Sequence, residues 1–155
     1  MGGAGLGKKI ALLGTGQMGE ALLGGWLASG LVEPGSVWAT DASAARRDLA
    51  KRRFGVRVGA GNAEAAAWAD VIVLAVKPQT LPALLGEIAP SVAGRLLVSI
   101  VAGVSIGKIA GMAGPGARVV RVMPNAPALV RAGVSALAAG PGVTEAEADL
   151  AMRLF

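Results

Sequence analysis

The sequence predicts an α/β fold: a doubly wound, mostly parallel sheet covered by helices on both faces. Three observations predict it. Short β-rich runs alternate with longer stretches of helical periodicity, the pattern of repeated βαβ units. Hydrophobic residues make up 54% of the chain while aromatics supply 3%, so the apolar mass is Ala, Val, Leu and Ile, as in strands buried on both faces. A length of 155 residues suits one domain.

The elements follow in order. Residues 1–7 are Gly-rich, with no basic start and no signal-peptide apolar core, and are expected to form a flexible leader to a domain spanning 8–155. Residues 9–13 are a short apolar run ending at Gly14 and predict the first strand. Residues 17–29 carry Met18, Ala21, Leu22, Trp26 and Leu27 near helical spacing, and Gly30 suits the position just past a helix end. Pro34-Gly35 marks a turn before a second strand at 37–40. Ser43 can cap a basic helix that runs to about Arg53, with Gly55 behind it.

A weak third strand is read at 56–58 and a short Ala-rich helix at 63–69. The run at 71–76, VIVLAV, is the clearest buried strand. Residues 79–88 predict a helix with Pro82 tolerated in its first turn. Another strand is expected at 96–101, a helix at 105–112, and a strand at 118–123 stopped by Pro124. One more strand is read at 133–138. Thr144 and Glu147 have the spacing of a capping box that opens a last helix carrying Leu150, Met152, Leu154 and Phe155. That helix ends with neither a C-cap nor a polar tail. Exposed Leu150, Leu154 and Phe155, and further sequence beyond them, are the expectation.

Composition narrows the chemistry. The chain has no Cys, no His and no Tyr. Disulfides, His- or Cys-ligated metals and nucleophilic triads built on His are therefore excluded, and no metal site is expected. Lys, Asp and Glu remain for acid–base work, or chemistry carried by a cofactor. No apolar run reaches the roughly 18 residues of a membrane span, so a soluble, cytoplasmic protein is expected, with no membrane partner. The net charge is +5, and six of the 15 basic residues lie between Arg46 and Arg57. They read as a solvated helix face or, for one or two of them, as phosphate ligands. No aromatic platform or groove-reading motif accompanies them, so nucleic acid is not an expected partner.

One motif carries the function. Gly14-Thr15-Gly16-Gln17-Met18-Gly19 is a G-x-G-x-x-G run placed after a strand and at the start of a helix, where the dinucleotide-binding fingerprint of the Rossmann fold belongs. Gly14 permits the tight turn, Gly16 admits the pyrophosphate, and Gly19 lets the helix pack on the strand. The pyrophosphate would meet free N–H groups at the positive end of the helix. The second strand ends at Asp41, an acidic position that hydrogen-bonds a ribose 2′-hydroxyl and favours NAD. Ser43, Arg46 and Arg47 follow directly, and an arginine there accommodates the 2′-phosphate of NADP. Asp41 could also cap the next helix. The choice between NADPH and NADH stays open. Ligands of open α/β sheets bind at strand carboxyl ends, which nominates the loops at 61–62, 75–78, 101–103 and 123–126 as well. Lys77 there is either a cleft residue or an exposed loop lysine.

Residues 14–30 (GTGQMGEALLGGWLASG), 74–79 (LAVKPQ), 99–103 and 121–130 (RVMPNAPALV) together resemble pyrroline-5-carboxylate reductases, over about 9–155. The resemblance implies reduction of 1-pyrroline-5-carboxylate to L-proline with NADPH or NADH, the last step of proline synthesis. Carried over by position, cofactor contacts fall on Leu13, Gly14, Thr15, Gly16, Gln17 and Met18, on Asp41, on Asn62 at the adenosine end, on Ala75, Val76, Lys77 and Pro78, and on Ile100, Val101 and Ala102. Met123, Pro124, Asn125 and Ala126 would lie near nicotinamide and substrate. Ala126 departs from the family's usual Thr, removing a hydroxyl near the site, and Ser135 replaces another Thr.

The resemblance also implies a helical C-terminal domain, absent from this chain, that makes the full-length protein a homo-oligomer and completes the substrate pocket. The chain alone is accordingly expected to bind dinucleotide and to be inactive. The missing His and Tyr fit such chemistry, because a cyclic imine is activated by its own protonation and the protein's part is positioning. No catalytic residue is assigned; Lys77 and Asn125 are candidates for orienting substrate or nicotinamide. Two other readings stay open: the cofactor domain of another Rossmann reductase, of the 3-hydroxyacid or prephenate dehydrogenase type, and a non-catalytic nucleotide-sensing module.

Overall fold

The structure is a computed structural model, and it describes residues 5–124 and 135–155. The chain runs β1 (Ile10–Leu13), α1 (Gln17–Ala28), β2 (Val37–Thr40), α2 (Ala44–Phe54), β3 (Arg57–Gly59), α3 (Asn62–Trp68), β4 (Val71–Leu74), α4 (Leu81–Val92), β5 (Leu96–Ser99), α5 (Ile106–Ala113), β6 (Arg118–Pro124), β7 (Ser135–Ala139) and α6 (Glu145–Arg153). The seven strands form one sheet in the order β3-β2-β1-β4-β5-β6-β7. β1 to β6 are parallel and β7 closes the edge antiparallel to β6. The doubly wound, mostly parallel architecture is thus as the sequence leads one to expect.

Strand order explains where a ligand can sit. β1 has β2 on one side and β4 on the other, in register Leu13 to Thr40 and Leu13 to Leu74. The chain therefore winds outward in opposite directions from β1. The connections after β1 and after β4 leave opposite faces and open a crevice at the carboxyl ends.

Both faces are covered, as the apolar runs require. Ile10, Leu12, Val71, Val73 and Val98 enter one layer with Leu23 and Trp26 of α1, Ala50 of α2, and Ala151 and Leu154. Ala11, Leu13, Ile72, Leu74 and Leu97 enter the other, with Ala65 of α3, Leu85 and Ile88 of α4, and Ile109 of α5. All residues of β1, β4 and β5 are buried.

Caps behave as expected. Ser43 Oγ accepts from Arg46 N, Gly55 takes a φ of +69°, and Thr144 with Glu147 forms the reciprocal capping box.

Four expectations are corrected. α4 does not end at Ile88 but continues through Pro90 to Val92. Leu81, Leu84, Leu85, Ile88 and Val92 hold one buried face at helical spacing, whereas Pro90, and Gly86 one turn before it, lie on the exposed side, where water can serve a carbonyl that proline cannot. β4 and β5 stop at Leu74 and Ser99, two residues before their apolar runs end. The leftover Ala75-Val76 and Ile100-Val101 are apolar because they line a cleft. β3 starts at Arg57 rather than at residue 56, with Val56 buried just ahead of it. Finally, the end of α6 is not exposed: Leu154 is 3% accessible, Leu150 and Phe155 pack on the core, and Met152 alone of the four points outward. The reason is polar as well as apolar. Trp26 Nε1 donates to the Leu154 carbonyl at 2.9 Å, satisfying a helix-end acceptor that would otherwise be orphaned.

Candidate functional site

The glycine loop joins β1 to α1 and its three glycines differ in surroundings. Gly14 has a φ of +104°, and a Cβ there would lie 2.6 Å from the Ala75 carbonyl oxygen. A Cβ on Gly19 would lie 2.3 Å from the Gly14 carbonyl oxygen. These two let α1 and the loop press against β1 and the start of the 75–78 segment. Gly16 is the opposite case: a Cβ there would meet nothing within 4 Å. Its backbone, φ −66° and ψ −168°, is open to any residue, and no side chain caps the α1 N-terminus it begins. The open side of Gly16 and the uncapped first turn of α1 face a cleft.

That cleft has a volume of about 530 Å³ and lies at the carboxyl ends of β1, β4, β5 and β6. Gly16, Gln17 and Met18 line it from α1, Ala75, Val76, Lys77 and Pro78 from the end of β4, Ile100, Val101 and Ala102 from the end of β5, Met123 from β6 and Arg46 from α2. A larger hollow of about 710 Å³ sits at the opposite, amino ends of the strands. Four of its charged side chains, Asp70, Arg95, Arg118 and Glu147, have partners within the fold. Asp70 accepts from Lys9 N at 2.9 Å, Arg95 donates to the carbonyls of Ala67, Ala69 and Ser91, and Arg118 pairs with Glu147 at 2.8 Å. Of these two hollows, the carboxyl-end cleft presents the uncapped start of α1 beside the glycine loop, so it is the candidate site.

The remaining positions named from the sequence fall around it. Leu13, Gly14, Thr15 and Gly19 are buried beneath the loop rather than lining the cleft. Asn62 sits to one side, where its Oδ1 accepts from the Thr40 hydroxyl at 2.5 Å and its Nδ2 donates to Glu87 at 3.1 Å. Pro124 pairs through its backbone with Ser135 across the β6–β7 edge. Asn125 and Ala126 lie outside the described residues. Among the described residues no group of acidic, His or Cys side chains could hold a metal, and no helix is long and apolar enough to cross a membrane.

Asp41 is tied to the glycine loop. Its Oδ2 accepts from Thr15 N at 3.0 Å and from the Thr15 hydroxyl at 3.1 Å, and its Oδ1 accepts from Ser43 N at 2.9 Å. Asp41 is therefore not the cap of α2, which is Ser43. Partial burial pushes its carboxyl upward, but the Ser43 and Thr15 amides, the Thr15 hydroxyl and the Arg46 guanidinium together hold it below its ordinary 3.8. The Asp41–Thr15 clasp is a feature the sequence did not reveal, since no periodicity links positions 26 residues apart.

The sign of the resulting pH effect follows. A folded-state pKa below the unfolded one adds stability that is complete above pH 3.8 and is lost as pH falls through the folded value. Asp41→Asn is expected to lower the melting temperature at neutral pH, with the gap from the wild type narrowing below pH 4. Thermal melts across that range check it; a gap independent of pH would mean that the charge of Asp41 contributes nothing.

With the geometry in place, comparison with known proteins decides the family. A family model described as NADP oxidoreductase, coenzyme F420-dependent, matches residues 9–103. The chain belongs to this family. It is also 38% identical over 149 residues to the pyrroline-5-carboxylate reductase of Escherichia coli (strain K12), an alignment covering 96% of this chain and 55% of the relative. A pyrroline-5-carboxylate reductase from Coxiella burnetii superposes with a TM-score of 0.90 at 32% identity, covering 95% of this chain and 55% of that one. The pyrroline carboxylate reductase of Plasmodium falciparum, solved with NADP bound, gives 0.87 at 30% identity, covering 98% and 55%. The resemblance carried by residues 14–30, 74–79, 99–103 and 121–130 is borne out. The chain spans about half the length of the relatives it matches.

Proposed function

We propose that this chain binds NADPH or NADH in the cleft at the strand carboxyl ends and is the cofactor-binding half of a pyrroline-5-carboxylate reductase. The observation that carries the cofactor reading is the open side of Gly16 beside an uncapped helix N-terminus, within a loop whose other glycines are packed shut. A pyrophosphate fits that space, held by the N–H groups of Gln17 and Met18. The Ala75–Pro78 and Ile100–Ala102 segments would flank the nicotinamide half, with Leu13 to Thr15 forming the floor of the glycine loop. Asn62, held by Thr40 and Glu87, would lie at the adenosine end. When bound, the nicotinamide supplies hydride for reduction of a C=N bond. Lys77 and Met123 would stand near that ring at the mouth of the cleft, with Asn125 the further candidate for orienting substrate.

The substrate reading rests on sequence identity of 38% over 96% of the chain, whereas the prephenate and 3-hydroxyacid dehydrogenases of like fold share only 13% and 19%. With it come a small-molecule partner, a cytoplasmic enzyme of amino-acid biosynthesis, and a homo-oligomeric full-length protein. Calorimetric titration of this chain with NADPH and NADH tests the first half: binding of either is the expected result, and binding of neither refutes the site. Steady-state oxidation of the cofactor by the full-length gene product tests the second half. Turnover with 1-pyrroline-5-carboxylate is expected, and turnover with a 3-hydroxyacid or prephenate instead would replace the substrate.

A further inference from the structure

We propose that Met123 is a site of reversible oxidation to methionine sulfoxide, and that a peroxide acting there weakens cofactor binding in the cleft. The inference rests on the dinucleotide reading above and adds a control to the same site. The chain has no Cys, so its oxidisable sulfur is confined to five methionines. Met112 is partly buried against the core, and Met18 is half-buried in the first turn of α1. Among the described residues, Met123 and Met152 are the exposed ones, 47% and 61% accessible. Met152 stands on the outer side of α6, whereas Met123 lines the carboxyl-end cleft.

What sets Met123 apart is Arg121. Standing two residues earlier on β6, Arg121 shares its face of the sheet. Its Nη2 donates to the Met123 Sδ at 3.3 Å, and its Nε is buried with no hydrogen-bond partner. The Arg121 backbone sits between Ser99 of β5 and Ala138 of β7, so the guanidinium springs from a fixed point. A thioether is a weak acceptor, and a guanidinium beside it keeps donor capacity in hand. A sulfoxide oxygen is the negative end of the S–O dipole and a strong acceptor, and bonds from a charged donor are the stronger kind. The fold thus holds a partner ready for the oxidised side chain and leaves the reduced one poorly matched. In the oxidation, one peroxide oxygen passes to a sulfur lone pair as the O–O bond breaks, and hydrogen peroxide leaves as water. Sulfur is oxidised and the peroxide reduced, each by two electrons. The apolar, flexible wall at the mouth of the cleft becomes polar and larger by one oxygen, with Arg121 to hold that oxygen in place. A nicotinamide ring loses apolar contact there, and methionine sulfoxide reductases restore the thioether.

The test is a calorimetric titration with NADPH before and after mild treatment with hydrogen peroxide, for wild type, Met123→Leu and Met152→Leu, with the sulfoxides located by peptide mass mapping. Wild type is expected to gain oxygen at Met123 and Met152 and to lose affinity at least about fivefold, roughly 1 kcal/mol. Met152→Leu is expected to lose as much. Met123→Leu, whatever its starting affinity, is expected to hold it through the treatment. Bound NADPH is expected to shield Met123 and not Met152, and sulfoxide reductase with a thiol to restore the wild-type affinity. An intact Met123 beside an oxidised Met152 would overturn the proposal and leave the dinucleotide reading standing. So would an oxidised Met123 with unchanged affinity, a loss that persists in Met123→Leu, or a loss that the reductase leaves in place. Failure of the untreated chain to bind NADPH would overturn the dinucleotide reading, and this inference with it.

Discussion

Gly16→Val is expected to fold and to bind NADPH at least about tenfold more weakly than wild type, or 1.4 kcal/mol, while Gly19→Ala is expected to fail in the opposite way. The two glycines stand three residues apart in one motif, yet their surroundings have nothing in common. A side chain at Gly16 meets no protein atom within 4 Å and requires no unusual backbone. Its only cost to the fold is a poorer N-cap, at most about 1 kcal/mol. What it fills is the space against the first turn of α1, where a pyrophosphate would lie. At Gly19 the added carbon would lie 2.3 Å from a backbone carbonyl oxygen that cannot move without shifting β1 or the loop. Overpacking of this kind costs about 1–3 kcal/mol or more. Thermal melting and calorimetric titration of both variants separate the effects. A folded Gly16→Val chain with wild-type affinity would show that the pyrophosphate lies elsewhere. A Gly19→Ala chain of unchanged stability would show that α1 does not pack as described.

Much of this arrangement was legible in the residues, for physical reasons that can be named. The glycine spacing, the uninterrupted apolar runs of β1, β4 and β5, and the caps at Ser43 and Thr144 are local signals, and each one fixes a local structure. The cleft-lining residues at 75–78 and 101–102 were legible through the rule that ligands meet strand carboxyl ends, once the strands were found, and Ile100 through the family resemblance. The ends of those strands were not. Val76 and Val101 are as apolar as the strand residues before them, and only the fold shows that they belong to a cleft wall. The Asp41–Thr15 clasp, the Asn62–Glu87 bond and the seat of Leu154 were hidden for a different reason. Each joins residues far apart in sequence, and nothing in composition or period marks such a pair. Asp41 illustrates the consequence: a sequence rule offers it to a ribose, and only the fold shows that its carboxylate also fastens the glycine loop.

The same long-range logic sets the largest expected loss of stability. Trp26 is 3% accessible, packs in the layer that contains Leu12, Val98 and Val122, and donates its indole N–H to the carbonyl of Leu154, 128 residues away. Trp26→Ala removes both contributions and is expected to cost about 3–5 kcal/mol, the range for deletion of a buried aromatic ring. Trp26→Phe keeps most of the buried surface and loses the donor, leaving a buried helix-end carbonyl unpaired, for about 1–3 kcal/mol. Chemical denaturation of the two variants measures the difference, and hydrogen exchange in α6 shows where it falls. Faster exchange at residues 145–153 in Trp26→Phe, ahead of the rest of the sheet, is the expected pattern. A Phe variant as stable as wild type would mean that α6 is held by apolar contact alone. Trp26 lies on the same helix whose first turn opens at Gly16. The hydrogen bond at Leu154 therefore anchors, from its far end, the element that presents its free N–H groups to the cleft.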